Sequence, residues 1–254
     1  MMLLEARALA MGYRHRTVGE GIDLKIGQGE VLCLLGPNGS GKTTLFRTLL
    51  GILPPLRGEV VVVGQPLSGW SRQALAKVIA YVPQGHAGLF AFTVAEVVLM
   101  GRTARIGRFA MPSVHDRRVA RQALDVLGIG HLAERVYTEI SGGERQLALI
   151  ARALAQEAGV LILDEPTASL DFGNQLRVLQ QVAALKTRGL AVLMSTHQPE
   201  HALRVADRIA FLKGGRITVQ GDRSIADAAN LADLYGTDAQ LVAANLPGLG
   251  RQAP

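Results

Sequence analysis

Three features of this 254-residue chain predict an α/β fold with a helical subdomain inserted in it. VLCLLG (31–36) is a continuous apolar run, too short for a helix and suited to a strand buried on both faces. VLILDE and LAVLMSTH repeat that pattern after position 159, with helical spacing between them. Between Thr93 and Gln156 only the three- and four-residue helical spacing occurs.

Taken in order, LLEARALAM and GIDLKI read as strands, followed by VLCLLG as a central strand. GSGKTTLFRTLLGI reads as a helix closing near Gly51. EVVVVG is a strand bounded by Pro54, Pro55 and Gly58 on one side and Gly64 on the other. IAYVPQ is a short strand that stops at Pro83 and Gln84. TVAEVVLMG, VHDRRVARQALDVLG and GERQLALIARALAQE supply the helices of the insert. Helices around QLRVLQQVAALK and EHALRVAD flank LAVLMSTH, and RIAFLKGGRITVQG reads as a hairpin turning at Gly214–Gly215. NLPGLGRQAP reads as a frayed tail, and no sizeable regulatory domain is expected after the helical pattern near Leu231.

Composition narrows the function. The chain is 48% apolar, enough for one large core or two small ones, and its glycines and prolines follow no period. Cys33, the single cysteine, lies inside an apolar run and reads as a buried small side chain; alone it can form neither an internal disulfide nor a cysteine-based metal site. No apolar run reaches the roughly 18 residues that span a bilayer. The start has no basic segment and carries Glu5, so a secretory signal is not expected and a soluble, cytoplasmic chain is. A net charge of +6 raises nucleic acid as a partner, but with 4% aromatics and no basic run interleaved with them, none is expected. Arg102, Arg105, Arg108, Arg117, Arg118 and Arg121 face one acid, Asp116. That stretch reads either as a solvated face or as a contact for an acidic protein or anionic lipid heads.

GPNGSGKT (36–43) fits G-x-x-x-x-G-K-[ST], with a strand before it and a helix after it. Gly36, Pro37, Asn38, Gly39, Ser40 and Gly41 form a loop whose glycines would let backbone N–H groups wrap a polyphosphate at a helix N-terminus, with Thr44 following. Lys42 would bridge the β- and γ-phosphates, and the Thr43 hydroxyl would bind Mg²⁺. A second strand ends in two adjacent carboxylates, which is costly unless something cationic meets them. Asp164 would hold Mg²⁺. Glu165 would orient or deprotonate an attacking water. His197, at the end of LAVLMSTH, sits at the same sheet edge and reads as a γ-phosphate contact. Gln84 is placed to hold Mg²⁺ or that water.

ISGGERQ (140–146) adds a second phosphate-binding end: Ser141 caps a helix, and Gly142 and Gly143 leave its N-terminus open. One chain already has a complete cradle, so this end is expected to serve a second copy across a two-fold axis. Ser141 and Gly143 would then contact the γ-phosphate at Lys42 of the partner subunit, and hydrolysis would release the pair.

Together these motifs resemble those of the ABC-type ATPases, over nearly the whole chain. GPNGSGKT resembles Walker A, VLILDE Walker B and ISGGERQ the family signature. Gln84 matches the Q-loop, ASLD (168–171), ending in Asp171, the D-loop, and His197 the switch histidine. Tyr13 matches the aromatic that stacks on adenine. The resemblance implies a P-loop NTPase (RecA-like) α/β core with an N-terminal antiparallel β subdomain, over 1–84 and 158–254. It puts the helical signature subdomain at 85–157 and a flexible tail at 245–254. FTVAEVVLMGR is similar to ATPases of importers for iron-siderophore, haem and cobalamin, and FAMPSVHD and STHQP to the molybdate/tungstate type. ATP and Mg²⁺, a homodimer, a permease dimer, a periplasmic or extracellular binding protein and a site at the cytoplasmic face of the membrane are what that likeness implies. An exporter ATPase and a soluble ABC protein that moves no solute are the rival readings. The signature departs from the family at Ile140 and at Glu144, where glutamine is usual. A carboxylate beside a γ-phosphate is unfavourable, so Glu144 is expected to fold back onto the Ser141 N–H, with Arg145 offsetting its charge.

Overall fold

The computed structural model describes residues 1–85, 91–107 and 110–246. The chain opens with the hairpin β1 (Met2–Tyr13) and β2 (Arg16–Gly27). β3 (Val31–Leu35) then leads into α1 (Lys42–Leu49). β4 (Arg57–Val62), a two-residue β5 (Gln65–Pro66), α2 (Arg72–Ala76) and β6 (Ile79–Val82) follow. The helices α3 (Val94–Leu99), α4 (Val114–Val126) and α5 (Gly142–Ala155) form the middle of the chain. β7 (Val160–Asp164), α6 (Phe172–Leu185), β8 (Ala191–Thr196) and α7 (Pro199–Val205) alternate after them. The last elements are β9 (Arg208–Lys213), β10 (Arg216–Gly221), α8 (Ala228–Tyr235) and α9 (Ala239–Asn245).

The strands form two sheets. One is antiparallel, in the order β2-β1-β4-β5. The other runs β10-β9-β3-β8-β7-β6 and is parallel except for the β9–β10 hairpin. Gly214 and Gly215 both adopt positive φ at that hairpin turn, as the sequence predicts.

The period-two geometry of a strand divides the large sheet between two cores. Val31, Cys33 and Leu35 face one core, shared with Val97, Leu124, Ile150 and Val178 of the helices. Leu32 and Leu34 face the other, shared with Leu9, Ile22, Leu45 and Phe46. β7 and β8 divide in the same way, with Leu161, Leu163, Val192 and Met194 on the first face and Val160, Ile162 and Leu193 on the second. Each such fully buried side chain contributes about 1.5–3 kcal/mol relative to exposure. Cys33 is fully buried and burial pushes its thiol pKa up, which leaves it an inert apolar side chain. Among the described residues, no helix is long and apolar enough to cross a membrane.

The structure corrects several expectations. α2 is absent from the sequence reading, because five residues carry too little periodicity to register. Asn245 closes α9 instead of opening a tail, and positions 247–254 lie outside the described residues, as does Arg108. Arg102 is no surface cation. It is buried, donating from Nε to Asp116 (2.9 Å) and from Nη1 to the Ala155 carbonyl (2.8 Å) and Glu157 (2.5 Å). Hydrogen bonds from Ser113, then the Arg102 guanidinium, hold Asp116 down to about 2. Arg105 donates to the Gln156 and Glu157 carbonyls, both at 2.8 Å. These two arginines clamp the end of α3 to α4 and to the C-terminus of α5. Arg117, Arg118 and Arg121 are the exposed cations left on α4.

Candidate functional site

Parallel strands deliver their C-terminal ends to one edge, and the order β3-β8-β7-β6 fixes what stands beside what. The phosphate loop follows β3, His197 follows β8, Asp164 ends β7 with Glu165 next, and Gln84 lies two residues past β6. Register pairs Leu35 with Thr196, Asp164 with Ser195 and Val82 with Leu163. A cleft of about 600 Å³ opens there, and Asn38, Gly39, Gly41, Lys42, Thr43, Thr44, Gln84, Glu165 and His197 line it. Residues far apart in sequence thus meet without any of them leaving a regular element by more than a few positions.

Glu165 is the hub. It is 8% exposed, and its carboxylate lies 3.2 Å from the Lys42 ammonium and 2.9 Å from His197 Nδ1. Gln84 Nε2 approaches it at 3.5 Å. The Lys42 ammonium also donates to the carbonyls of Gly36 (2.8 Å) and Pro37 (3.1 Å). Glu165 sits at φ +47°, a left-handed conformation that costs a non-glycine residue about 1–3 kcal/mol. Its N–H is held by Ser195 Oγ at 2.9 Å, which helps to sustain that strain.

Asp164 is 1% exposed and satisfied on both oxygens. Ser195 Oγ donates to Oδ1 at 2.6 Å and Thr43 Oγ1 to Oδ2 at 2.8 Å. The Tyr81 hydroxyl reaches Oδ2 at 3.4 Å, and burial foremost, then the Asp164 charge, pushes that phenol up to about 12. Thr43 and Asp164 present hard oxygen donors side by side, the donor chemistry of Mg²⁺, which takes one or two carboxylates and leaves its other positions to phosphates and water. Gln84 is exposed beside them. The buried Ser40 hydroxyl has no hydrogen-bond partner among the described residues, as suits a group facing an oxygen-rich ligand. Gly41 caps α1 at φ +105°, where a side chain would be strained, and it offers no side-chain cap to the first N–H groups of that helix. The residues present fit a Mg²⁺-bound polyphosphate.

Tyr13 lies at the end of β1, 44% exposed, on the hairpin whose Val18 lines the cleft. Asp171 caps α6, accepting from Asn174 N at 2.9 Å and Asn174 Nδ2 at 2.6 Å.

The serine-glycine corner stands apart: none of Ser141, Gly142 and Gly143 lines the cleft. Its capping box is complete, with Ser141 N donating to Glu144 Oε2 (2.8 Å) and Glu144 N to Ser141 Oγ (3.3 Å). The Glu144 carboxylate folds back as the sequence reading expects, and the Ser141 hydrogen bonds lower its pKa. Arg145 does not pair with it: that guanidinium donates to the carbonyls of Ile140 (2.9 Å) and Thr138 (3.4 Å). The two glycines differ. A Cβ on Gly143 would lie 2.3 Å from Asn174 Cγ, so α6 of the same chain already requires glycine there. A Cβ on Gly142 would meet only Leu170 Cδ2, at 3.5 Å.

Sequence reasoning missed Ser195, Asn174 and Tyr235, whose hydroxyl donates to the His197 carbonyl at 2.8 Å. Ser195 was findable, as a polar residue inside the apolar run LAVLMSTH. Asn174 and Tyr235 carry no local signal.

Comparison with known proteins places this geometry. The family model described as ABC transporter matches residues 20–168. An uncharacterized ABC transporter ATP-binding protein of Haemophilus influenzae is 45% identical over 243 residues, covering 95% of this chain and 92% of its own. A hemin import ATP-binding protein of Gloeobacter violaceus is 41% identical, over 86% of this chain and 82% of its own. A molybdate import ATP-binding protein of Haemophilus influenzae is 39% identical, over 84% and 80%. Among solved structures, an inward-facing metal-chelate type ABC transporter superposes with a TM-score of 0.82 at 37% identity, covering 92% of this chain and 89% of its own. The nucleotide cradle, the strand-end carboxylates and these relatives together make this chain a member of the ABC transporter ATP-binding family.

Proposed function

We propose that this chain is the ATP-hydrolysing subunit of an importer for a metal oxyanion such as molybdate or tungstate, or for a metal chelate such as haem, an iron-siderophore or cobalamin. It works as a homodimer against a separate permease dimer at the cytoplasmic face of the membrane, supplied by a substrate-binding protein. The observation that carries the ATPase reading is the hub at Glu165, a buried carboxylate between Lys42 and His197 at the mouth of the phosphate loop.

Lys42 and the open N-terminus of α1 bind the β- and γ-phosphates. In doing so the Lys42 ammonium passes from Glu165 to phosphate oxygen, which frees the carboxylate to accept a proton. Mg²⁺, held by Thr43, Asp164 and Gln84, would neutralise developing phosphate charge. A water oxygen then bonds to the γ-phosphorus as the bond to the β–γ bridging oxygen breaks; Glu165 takes the water's proton and ADP leaves. His197 contacts the γ-phosphate and holds Glu165 in line. Tyr13 stacks on the adenine. Ser141, Gly142 and Gly143 complete the same centre on the partner subunit, and Asp171 stands at that junction. The helical segment over 85–157 is the part that receives the permease.

The solute class rests on the hemin and molybdate import relatives. Uptake of labelled molybdate and of haem, by cells with and without this chain, tests it. Loss of one uptake on deletion is the expected result. Unchanged uptake of both, with the chain purifying free of any integral membrane partner, would favour an ABC ATPase that moves no solute.

A further inference from the structure

The peptide that follows β8 has one job in the proposed mechanism, to aim His197 at Glu165, and it has little structure of its own to do so. Gln198 is extended, and Pro199 opens α7 directly after it. Gln198 N bonds Thr196 Oγ1 at 3.1 Å, which holds the far side of the turn. The His197 carbonyl receives the Tyr235 hydroxyl at 2.8 Å.

Tyr235 comes from a rigid place. It is the last residue of α8, which buries Leu231 completely and Leu234 almost so against the helix-side core. Lys213 Nζ, at the end of β9, bonds both the Asp233 carbonyl (2.6 Å) and its carboxylate (2.8 Å). Gly236 closes the helix in the left-handed conformation, so the chain turns away immediately after the tyrosine. A hydroxyl presented by a packed helix end therefore fixes the carbonyl of a peptide whose N–H is anchored only within its own turn, to Thr196.

We infer that Tyr235 is a positioning residue for hydrolysis: its hydroxyl locks the His197–Gln198 peptide and thereby the direction of the His197 imidazole toward Glu165. Burial foremost, then the Glu165 charge, raises the phenol pKa, so it remains a donor at neutral pH. Rotation of that peptide swings the imidazole away from the 2.9 Å contact with Glu165. The inference rests on the ATPase reading of His197 and adds a residue to it from an element some 40 positions further along the chain. Nucleotide affinity is set by the phosphate loop, which Tyr235 does not touch, so the effect belongs on turnover and not on binding.

The test compares Tyr235→Phe, His197→Ala and the double variant in the full-length chain, by steady-state ATP hydrolysis and, for slow variants, by single-turnover hydrolysis with protein in excess. Tyr235→Phe should lower kcat roughly 3- to 10-fold, the size expected for loss of one hydrogen bond. KM for MgATP should stay within about twofold. On the His197→Ala background the same change should have no further effect, because the tyrosine acts through that histidine. Tyr235→Leu repeats the comparison should the Phe variant fail to accumulate. Wild-type kcat in Tyr235→Phe, or an equal fold-loss on both backgrounds, would overturn the inference while leaving the ATPase reading standing. A His197→Ala chain with wild-type turnover would overturn both.

Discussion

The two helix N-termini proposed to meet phosphate, at Lys42 and at Ser141, are built to opposite standards. Around Lys42 everything charged is buried and paired: Lys42, Asp164 and Glu165 are 6%, 1% and 8% exposed, and Ser195 and Thr43 occupy both Asp164 oxygens. Around Ser141 the serine is exposed and held by its own capping box; α6 packs on Gly143 through Asn174, while Ser141 and Gly142 keep their access to solvent. A site complete within one chain can afford buried charge, because its partners are always present. A site completed by another molecule must stay open until that molecule arrives. On the proposed reading, the contrast separates the half of the reaction centre that binds nucleotide from the half that waits for a second copy.

The largest effect should come from the buried end. Glu165→Gln should lower ATP turnover roughly 10²- to 10⁴-fold, the range of a general base, with ATP binding retained in an equilibrium binding assay. Near wild-type turnover would remove Glu165 from the role of base. Lys42→Ala should instead weaken ATP binding. It should also lower stability by about 1–3 kcal/mol in chemical denaturation, because a buried carboxylate loses its nearest cation while His197 remains.

The two glycines sharpen the comparison next. Gly143→Ala forces a Cβ against Asn174, so the monomer itself should lose about 1–3 kcal/mol through overpacking. Gly142→Ala has room within the chain and should leave stability within about 0.5 kcal/mol. Turnover should nevertheless fall roughly tenfold or more if a partner's γ-phosphate approaches that N-terminus. A fully active Gly142→Ala chain would mean that nothing comes close there.

The smallest effect is expected at Glu144. Glutamine can reproduce the capping box, so Glu144→Gln should change turnover by less than about threefold. A many-fold gain would mean the carboxylate lies against phosphate after all. Its pH behaviour has a definite sign. The native pKa is depressed below the ordinary 4.5, so the carboxylate stabilises the fold above that value and loses its contribution as pH falls through the lowered one. Denaturation midpoints measured from neutral to acid pH should therefore show a shallower acid loss in the glutamine variant.

How much could be read from the chain follows the same division. Lys42, Thr43, Asp164 and Glu165 were legible because each sits in a short contiguous run whose chemistry is local: a glycine loop before a helix, two acids at the end of an apolar strand. His197 was legible from its strand-end position. Arg102 was misread, because its burial depends on Asp116 and Glu157, which only the packing of α4 and α5 brings to it. Gly143 was read as an opening for a ligand, whereas the side chain that needs the space belongs to Asn174 of α6. Tyr235 could not be found at all, since an aromatic at the end of a short helix is ordinary until the fold sets its hydroxyl against the His197 carbonyl.

The open end at Ser141 is proposed to need a second chain, and the mass of the nucleotide-bound protein tests this most directly. Glu165→Gln, trapped with MgATP and weighed by light scattering, should have twice the mass of the 27.0 kDa chain and hold one nucleotide per chain. A species that stays at single-chain mass with nucleotide fully bound would contradict it.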